Sequence, residues 1–371
     1  MKQGWEYKKW NEVLTIINGK NQSAVEDTNG EFPIYGSGGI MGYANNWLCP
    51  ENCVIIGRKG NINKPIFVKT KFWNVDTAFG LNANTEYLLP KYLFYFCLDY
   101  NFERHNKAVT IPSLTKADLL KIQIPLPSKS TQLSIISELE KINELIRLKK
   151  EQLKDYDNLA QSIFYEMFGD PVENEKGWEV KELGQLCEVT SSKRVFINEV
   201  VDAGVPFIRG TELTALNKLV PGEKMHYTLF ITQEHYERLK AITGVPKVGD
   251  LLIPSINADG IVWMVDTEEP LYFKDGRVLW IHVNHNHFNS IAIQKLMNIL
   301  IKNIYASMGG ATFAELKLFV LRNMKVPVPP LSIQDAFAEK IKRIDIQKLQ
   351  VKKSITDLET LLASRMQYWF E

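Results

Sequence analysis

The sequence predicts an α+β protein in which two mixed α/β domains are separated by two long helices, with an internal pseudo-two-fold repeat. The repeat shows at both ends of its unit. Gly4-Trp5-Glu6 returns as Gly177-Trp178-Glu179, and a proline-rich segment ending at Gln132 returns as one ending at Gln334. A long stretch without glycine or proline and with helical periodicity follows each proline-rich segment. A unit of about half the chain has therefore been duplicated, and duplex DNA is a common ligand that is itself two-fold.

The elements follow one another in the same order in both halves. Short β-like runs (CVIIG, PIFV, FWNV, KIQIPL) alternate with Gly, Asn and Pro in the first domain, and DLLIP, GIVWMV and VLWIHV do so in the second. Gly169-Asp170-Pro171 ends the first helix, since proline cannot continue it. The predicted boundaries are 1–130 for domain 1, 131–168 for the first helix, 169–176 for a linker, 177–330 for domain 2 and 331–371 for the second helix.

The spacing between matching positions is uneven. It grows from 173 residues at Gly4 and Gly177 to 202 residues at Gln132 and Gln334. Domain 2 therefore contains insertions, most of them between Pro206 and Pro327. Because the ends of the unit match better than the middles, we expect a shared frame in which the two middles recognise different things.

The two long helices each carry an apolar seam with a 4-3 spacing, which is typical of a coiled coil. In the first helix the seam is Ile135, Leu139, Ile142, Ile146, Leu153, Tyr156, Ala160, Ile163 and Met167. In the second it is Phe337, Ile341, Ile344, Val351, Ile355, Leu358, Leu362 and Trp369. Each helix would be roughly 55–60 Å long. Repeat symmetry favours antiparallel pairing of the two helices, although each could instead pack on its own domain.

Polar residues interrupt the seam at Lys149, Lys348 and Arg365. The lysines have two open interpretations: their ammonium groups extend to solvent at the edge of the seam, or they fix its register. Nearby cations, Arg147, Lys150, Lys352 and Lys353, either contact a partner or form a solvated face.

Composition narrows the class of protein but does not identify it. The chain has 371 residues and a net charge of +1, so its global charge counts mildly against nucleic-acid binding. It has no apolar run of membrane-spanning length and no signal-like start, and its four cysteines suggest reduced thiols; we expect a cytoplasmic protein. One local stretch, RKGNINKPIFVKTK, is basic without any acidic residue, either as a binding surface or as a solvated strand pair.

No motif of an enzyme is complete. A DNA adenine methyltransferase needs a glycine-rich cofactor loop after a strand and an Asn/Asp-Pro-Pro-aromatic motif. Pro329-Pro330, however, lies between Val328 and Leu331. GRKGNIN does not satisfy the phosphate-binding loop pattern. His282, His285 and His287 lack a cysteine or carboxylate at ligand spacing, so no metal is expected.

Several segments together resemble one known family, the specificity (S, HsdS) subunit of type I restriction–modification systems. These segments are FPIYGSGGIMGYANNW at 32–47, VIIGRKGNI at 54–62, NVDTAFGL at 74–81, FGDPVENEKGWEVKELG at 168–184, and the helix approaches IPLPSKSTQ and VPVPPLSIQ. Each is weak alone, but their order and spacing are specific, and the resemblance covers essentially the whole chain.

The resemblance implies a non-catalytic DNA specificity subunit. Each mixed domain would be a target recognition domain for one half of a bipartite, asymmetric DNA site. The helices would space the two domains and dock methyltransferase subunits, expected to number two, and restriction subunits if present. S-adenosylmethionine, ATP and Mg would be bound by those partners and no cofactor by this chain. The assembled complex would be a site-specific deoxyribonuclease and adenine methyltransferase.

Candidate DNA-binding residues follow from the side chains that suit bases and phosphates: Arg and Lys toward guanine, Asn and Gln toward adenine, and any donor toward phosphate. In domain 1 they are Ser37, Gly38, Gly39, Tyr43, Arg58, Lys59, Asn61, Asn63 and Lys64. In domain 2 they are Ser192, Lys193, Arg194, Arg209, Thr211, Ser255, Asn257, Lys274 and Arg277. For the glycines, ordinary turn geometry explains the pattern equally well.

Two other classes stay open at this point. A coiled-coil scaffold that binds only proteins would explain the near-neutral charge without any DNA readout. A free-standing DNA methyltransferase or nuclease is the third possibility, which the missing motifs disfavour. Steeply salt-dependent binding of duplex DNA by an assembled complex would distinguish a DNA specificity subunit from a protein-only scaffold.

Overall fold

The structure is a computed structural model that describes residues 4–106, 110–217, 219, 225–307 and 315–371. It divides into two compact units. Unit 1 runs to Lys150 and includes Ser354–Glu371, and unit 2 is Glu151–Lys353. Each unit therefore contains one mixed domain together with a segment of each long helix.

Domain 1 comprises the elements up to the first long helix. They are β1 Glu6–Lys9, α1 Trp10–Val13, β2 Leu14–Asn18, β3 Phe32–Gly36, β4 Gly39–Ala44, β5 Cys53–Gly57, β6 Ile66–Val68, β7 Trp73–Asn74, β8 Ala78–Ala83, α2 Pro90–Asp99, a 3₁₀ turn Phe102–His105, α3 Lys116–Leu119, β9 Gln123–Leu126 and the long helix α4 Lys129–Phe168.

Domain 2 and the second long helix follow. Their elements are β10 Glu179–Glu182, α5 Leu183–Leu186, β11 Glu188–Ser191, a 3₁₀ turn Ile197–Glu199, β12 Val205–Ile208, α6 Gly210–Leu216, β13 Phe230–Ile231, α7 Gln233–Thr243, β14 Leu251–Pro254, β15 Trp263–Met264, β16 Tyr272–Phe273, β17 Val278–His282, α8 Ser290–Ser307, α9 Leu318–Arg322, β18 Lys325–Val328 and the long helix α10 Leu331–Phe370.

The two domains share one sheet topology. In the described residues, domain 1 has a four-stranded sheet β2-β8-β5-β6, a three-stranded sheet β4-β3-β7 and a pair β1-β9. Domain 2 repeats this as β11-β17-β14-β15, β13-β12-β16 and β10-β18. In both three-stranded sheets the central strand pairs in parallel with the last strand, β3 with β7 and β12 with β16. The predicted fold class and its internal repeat are thus confirmed.

The matching ends of the repeat lie side by side because they pair with each other. Strand β1 is antiparallel to β9 and β10 is antiparallel to β18, with Tyr7 opposite Pro125 and Val180 opposite Pro327. A two-stranded ribbon tolerates prolines because each strand has a free edge that needs no N–H donor. The Gly-Trp-Glu and proline-rich motifs therefore close each domain just before its long helix.

A buried glutamine at the start of each long helix holds the domain to that helix. Gln132 donates from Nε2 to the carbonyls of Tyr87 and Pro127 at 2.9 and 3.0 Å, and accepts from the Leu89 N–H at 2.9 Å. Gln334 repeats the three bonds with His287, Pro329 and Asn289. Both side chains are almost fully buried, so their amides satisfy backbone groups that water cannot reach.

The insertions of domain 2 lie where the uneven spacing placed them. Between β12 and β14 the chain forms α6 and α7, whereas domain 1 goes from β3 to β5 through the short hairpin strand β4. The helix after the four-stranded sheet is also longer, since α8 spans 18 residues and α2 spans 10. The frame is shared, and the additions lie beside the strands that build the site described below.

The long helices α4 and α10 pair antiparallel. In unit 1, Lys150 bonds Glu359 at 2.8 Å and Glu138 bonds Arg365, so the partner number rises as the α4 number falls. In unit 2, the rings of Phe164 and Phe168 pack on Phe337. Every predicted seam position is buried or half-buried. No helix in the described part of the chain is long and apolar enough to span a membrane.

Two polar interruptions of the seam make ion pairs across the helices. In unit 2, Lys348 donates to Asp157 Oδ1 at 2.5 Å. In unit 1, Arg365 donates from Nη2 to Glu138 Oε2 at 3.1 Å, and the Trp369 indole donates to the same oxygen at 3.0 Å. These bonds favour the register-fixing interpretation at Lys348 over a lysine that only extends to solvent.

Candidate nucleic-acid interface

An open groove in domain 2 collects many of the predicted DNA-binding residues. Its lining is Arg209, Gly210, Thr211, Thr214, Pro254, Ser255, Ile256, Lys274 and Arg277. Residues separated by more than 60 positions meet here because the groove lies where several strands end. It is the one place in the described part of domain 2 where the sequence-predicted Arg209, Lys274 and Arg277 line a common surface.

Strand register explains how these side chains come together. Ile208 is opposite Phe273 in the parallel pair β12–β16, so Arg209 and Lys274 follow on neighbouring strands, and the Lys274 N–H donates to the Ile208 carbonyl at 2.9 Å. In the antiparallel pair β14–β17, Pro254 is opposite Val278. Ser255 therefore lies beside Arg277, and its N–H donates to the Arg277 carbonyl at 2.9 Å.

Arg209 is held by the carboxylate of Glu212. Its Nε and Nη2 donate to the two carboxylate oxygens at 3.1 and 2.6 Å, and its backbone N–H donates to Oε2 at 3.0 Å. Burial alone raises the pKa of Glu212, but the hydrogen bonds from Arg209 and Thr211 outweigh it and lower that pKa to about 2. The carboxylate is therefore ionised at any physiological pH.

The other cations of the groove differ in how they are paired. Arg277 donates from Nη1 to Glu315 Oε1 at 3.3 Å, through a single contact between two largely exposed side chains. Lys274 is exposed, and no carboxylate of the described residues forms an ion pair with it. Just outside the groove, Arg194 is 3.2 Å from Asp275, and Lys193 beside it is exposed.

Three predicted contact residues of domain 2 make hydrogen bonds within the protein. The Asn257 side chain is 3% exposed and bonds the backbone of Ile261 through both its oxygen and its nitrogen. Ser255 is 1% exposed, with its hydroxyl directed at Glu315. Ser192 donates to the Phe273 carbonyl at 2.5 Å. These side chains make hydrogen bonds within the protein that hold the frame of the groove, and their contact with DNA stays a prediction.

In domain 1 the predicted residues gather at a hairpin tip and a neighbouring turn. Ser37 and Gly38 connect β3 to β4, Gly39 begins β4, and Tyr43 is exposed on the same strand. A Cβ built on Gly38 would lie 3.7 Å from Nδ2 of Asn61, so the hairpin tip lies beside that turn. The structure therefore brings the two predicted segments together.

The turn beside the hairpin tip follows β5 and contains the other predicted residues of domain 1: Arg58, Lys59, Asn61, Asn63 and Lys64. Arg58 is half-buried over the Phe79 ring and donates to the Asp76 carbonyl at 3.4 Å, while Lys59, Asn61 and Lys64 are exposed. Asn63 is exposed as well, and its amide also bonds neighbouring groups of the protein. It accepts from the Phe102 N–H at 2.8 Å and donates to Asn101 at 3.3 Å, so its amide holds the loop to the 3₁₀ turn.

Equivalent backbone hydrogen bonds show which residues of domain 1, at the hairpin tip and the neighbouring turn, correspond to the residues of the domain 2 groove. Val75 N–H donates to the Tyr35 carbonyl as Lys274 does to Ile208, and Arg58 N–H donates to the Thr77 carbonyl as Ser255 does to Arg277. Lys59 bridges to Ser113 as Ile256 does to Glu315. The positions of Arg209, Lys274, Arg277 and Glu315 are thus filled in domain 1 by Gly36, Val75, Thr77 and Ser113.

The substitutions give the two surfaces different chemistry. A Cβ on Gly36 would lie 2.6 Å from Sδ of Met41, so the Met41 side chain occupies space at the position that corresponds to Arg209. Ile40 and Met41 are both exposed on β4. Domain 1 therefore presents a partly apolar hairpin with cations on the next turn, and domain 2 presents a cationic groove.

The sequence alone did not single out Glu212, Glu315, Ile40 and Met41. Glu212 is three residues after Arg209 at the start of a helix, a spacing that supports an ion pair and was available as a signal. Glu315 lies 38 residues from Arg277, and only the fold brings them together. The exposure of Ile40 and Met41 depends on the hairpin's surroundings and leaves no clear trace in the sequence.

The histidines and cysteines that were considered as metal ligands have other surroundings. His282 Nδ1 is 3.3 Å from Asp250 Oδ2, and the His287 carbonyl accepts from Gln334. Cys49, Cys53, Cys97 and Cys187 are buried free thiols, and burial raises the pKa of Cys53 to about 12. In the described ranges no group of three His, Cys, Asp or Glu side chains is arranged to hold a metal ion.

A duplicated α/β frame, different side chains on equivalent surfaces and two paired long helices define a class of repeat proteins whose two domains differ at the same surface. The family described as the type I restriction modification DNA specificity domain matches residues 2–155 and 175–360. This match covers both halves of the repeat. The chain belongs to this family, whose specificity subunits are the non-catalytic components of type I restriction–modification systems.

Relatives support this membership along nearly the full length. A putative type I restriction enzyme specificity subunit of Haemophilus influenzae is 25% identical, over 89% of this chain and 84% of the relative. The MjaVIII specificity subunit of Methanocaldococcus jannaschii is 23% identical, over 97% of this chain and 92% of the relative. The predicted family is confirmed.

Two solved structures share the fold. The S subunit of a type I system from M. genitalium covers 100% of this chain and 98% of its own, with 16% identity and a TM-score of 0.58. A chain from a structural study of complex assembly and conformational transition in a type I system covers 99% and 97%, with 15% identity and a TM-score of 0.64. Their similarity extends through both domains and both helices.

Proposed function

We propose that this chain is the DNA-sequence-specificity subunit of a type I restriction–modification complex and recognises a bipartite, asymmetric site. Domain 1 reads one half of the site and domain 2 the other. The paired helices α4 and α10 set the distance between the half-sites and dock two methyltransferase subunits, with restriction subunits added where the system has them.

One observation carries the proposal: equivalent positions of one repeated frame hold different side chains. Gly36, Val75 and Thr77 of domain 1 correspond to Arg209, Lys274 and Arg277 of domain 2. The backbone hydrogen bonds that the two domains share keep the backbone around these positions alike in both domains. The side chains that would meet base edges are free to differ, which suits two unrelated half-sites.

The cofactors of the proposed complex belong to its other subunits. S-adenosylmethionine would be bound by the methyltransferase subunits, and ATP and Mg by the restriction subunits, while this chain supplies DNA recognition and an assembly platform. The complex would act in the cytoplasm, where its DNA is. A protein-only scaffold is the less favoured alternative, since it gives no reason for exposed Lys274 and Lys59 to occupy the two equivalent surfaces.

Binding of duplex DNA by the purified complex of this chain with its methyltransferase subunits tests the proposal. We expect tight binding only when both half-sites are intact, with each randomised half-site weakening binding roughly a hundred-fold or more, since each mismatched base pair costs about 1–3 kcal/mol. Binding should also weaken steeply with salt as phosphate contacts release counterions. Equal affinity for intact and randomised sites would refute DNA readout.

Lys274→Gln separates phosphate contacts from base contacts within this experiment. Because Lys274 is exposed in the groove without an ion-pair partner among the described residues, we expect uniformly weaker binding to all sequences and a salt slope smaller by about 1. Lys240→Gln on α7, outside the groove, is the matched control and should leave the slope unchanged.

A further inference from the structure

Arg209 and Glu212 form a fixed unit at the edge of the domain 2 groove. The Glu212 side chain is 9% exposed and the Arg209 side chain is 42% exposed, so the carboxylate lies inside and the guanidinium faces outward. Thr211 Oγ1 adds a bond to the same carboxylate at 2.9 Å. The arginine is held in place before any ligand arrives.

The geometry of the pair leaves one edge of the guanidinium available. Nε and one hydrogen of Nη2 are used by Glu212. Nη1 and the second hydrogen of Nη2 form the end edge, which carries two parallel N–H donors. Among the described residues, no acceptor is bonded to Nη1, and Arg209 lines the groove. Guanine presents two acceptors at matching spacing in the major groove, N7 and O6.

Charge distinguishes a base from a phosphate as the partner of this edge. The Arg209–Glu212 pair has no net charge, so its attraction for a phosphate is weak, while its directed donors are retained. Phosphate binding in this groove is better served by Lys274, which has no acidic partner in the described part of the chain. A rigid, neutral and directional donor pair suits a base edge.

We propose that Arg209 reads a guanine in the half-site of domain 2 and that Glu212 is the positioning residue that orients it. This inference rests on the proposed function and specifies which base is recognised and which residue recognises it. The equivalent position in domain 1 is Gly36, which has no side chain that could make this contact.

Base analogues in the DNA test the contact directly, with the complex of this chain and its methyltransferase subunits. Each guanine of the half-site assigned to domain 2 is replaced in turn by 7-deazaguanine, which lacks N7, or by inosine, which lacks only the minor-groove amino group. We expect one guanine at which 7-deazaguanine weakens binding several-fold and inosine has little effect. A full bidentate contact discriminates between bases by about 5- to 150-fold.

Two variants test whether Arg209, oriented by Glu212, makes the contact with that guanine. With Arg209→Ala, the 7-deazaguanine penalty should shrink toward one-fold, because no donor remains at this position for N7 and O6. Glu212→Gln keeps an oxygen for the Arg209 N–H but loses the second carboxylate oxygen and the charge. It should reduce the penalty while strengthening binding to unrelated DNA, since Arg209 then carries uncompensated charge.

The outcomes separate the possibilities. Arg238→Ala is the matched control, because Arg238 is an exposed arginine on α7 outside the groove, and this variant should keep the full penalty. If Glu212 were only structural, Glu212→Gln would weaken specific and unrelated binding together, and the positioning role would be overturned. No analogue-sensitive guanine in a half-site that is still read would overturn the inference alone, whereas no preference for either half-site would overturn the proposed function.

Discussion

Exchanging residues 1–127 for the matching segment of a relative with a different target is expected to replace one half of the recognised site and leave the other half unchanged. The physical reason is that each domain has its own hydrophobic core. The core that supports domain 1 lies within unit 1, and the core around β14 and β17 lies within unit 2. The side chains of each surface belong to its own domain.

The exchange must preserve the contacts that tie domain 1 to α4. Gln132 on α4 bonds Pro127, Tyr87 and Leu89, and Ile135 and Leu139 pack into the domain 1 core. A donor segment that keeps a proline at 127 and this loop geometry should therefore dock normally. Loss of the old half-site should weaken binding roughly a hundred-fold or more, since two mismatched base pairs at about 1.4 kcal/mol each already give that factor.

The controls for the exchange are reciprocal. Replacing residues 177–329 should change the other half-site only, and a donor segment with the same target as domain 1 should change neither. Methylation of defined duplexes by the assembled complex is the readout. If one exchange altered both half-sites, the two domains would not be independent readers.

Phe337→Ala is expected to lower the stability of unit 2 by about 3–5 kcal/mol. Phe337 is fully buried on the seam of α10, with its ring centroid 5.7 Å from that of Phe164 and 5.0 Å from that of Phe168 on α4. Truncation removes these aromatic contacts and leaves a cavity between the paired helices and the domain 2 core. The core cannot close over it easily because α8 and β18 pack against the same cluster.

Hydrogen exchange of the amide groups measures this effect locally. Protection in α8 and in the part of α4 within unit 2 should fall by the equivalent free energy, while protection in β5 and β8 of domain 1 should stay the same. Ile346→Ala on α10 is the matched control, because Ile346 is 55% exposed and its loss should change stability by no more than about 0.5 kcal/mol. Equal loss of protection in both units would show that they do not unfold separately.

The long helices and the frame were predictable because they are encoded locally. The apolar seams that begin at Ile135 and at Phe337 need only helical periodicity, despite their few polar interruptions. The paired ends of each domain repeat as short motifs around Gln132 and Gln334. The uneven spacing also located the extra helices of domain 2. Each of these signals lies within one stretch of chain.

The sequence predicted segments that the structure brings together, but it did not predict which side chains in them would be exposed. Arg209 and Lys274 were found because cations near strand ends are a local pattern, yet their neighbourhood depends on the parallel register of β12 and β16. Asn257 and Asn63 have the right chemistry for bases, but the fold uses both amides to satisfy backbone and loop groups. Tertiary structure decides that Asn257 is buried while Asn63 stays exposed, and one sequence does not show this directly.

The central claim is that one chain carries two different readers for two halves of one DNA site. Long-read methylation mapping tests it most directly, in cells that express this chain with its methyltransferase subunit and have no other adenine methyltransferase. We predict a single split motif with two unlike halves, a spacer of fixed length and one modified adenine in each half. A continuous motif, two identical inverted halves, or methylation without a motif would contradict the claim.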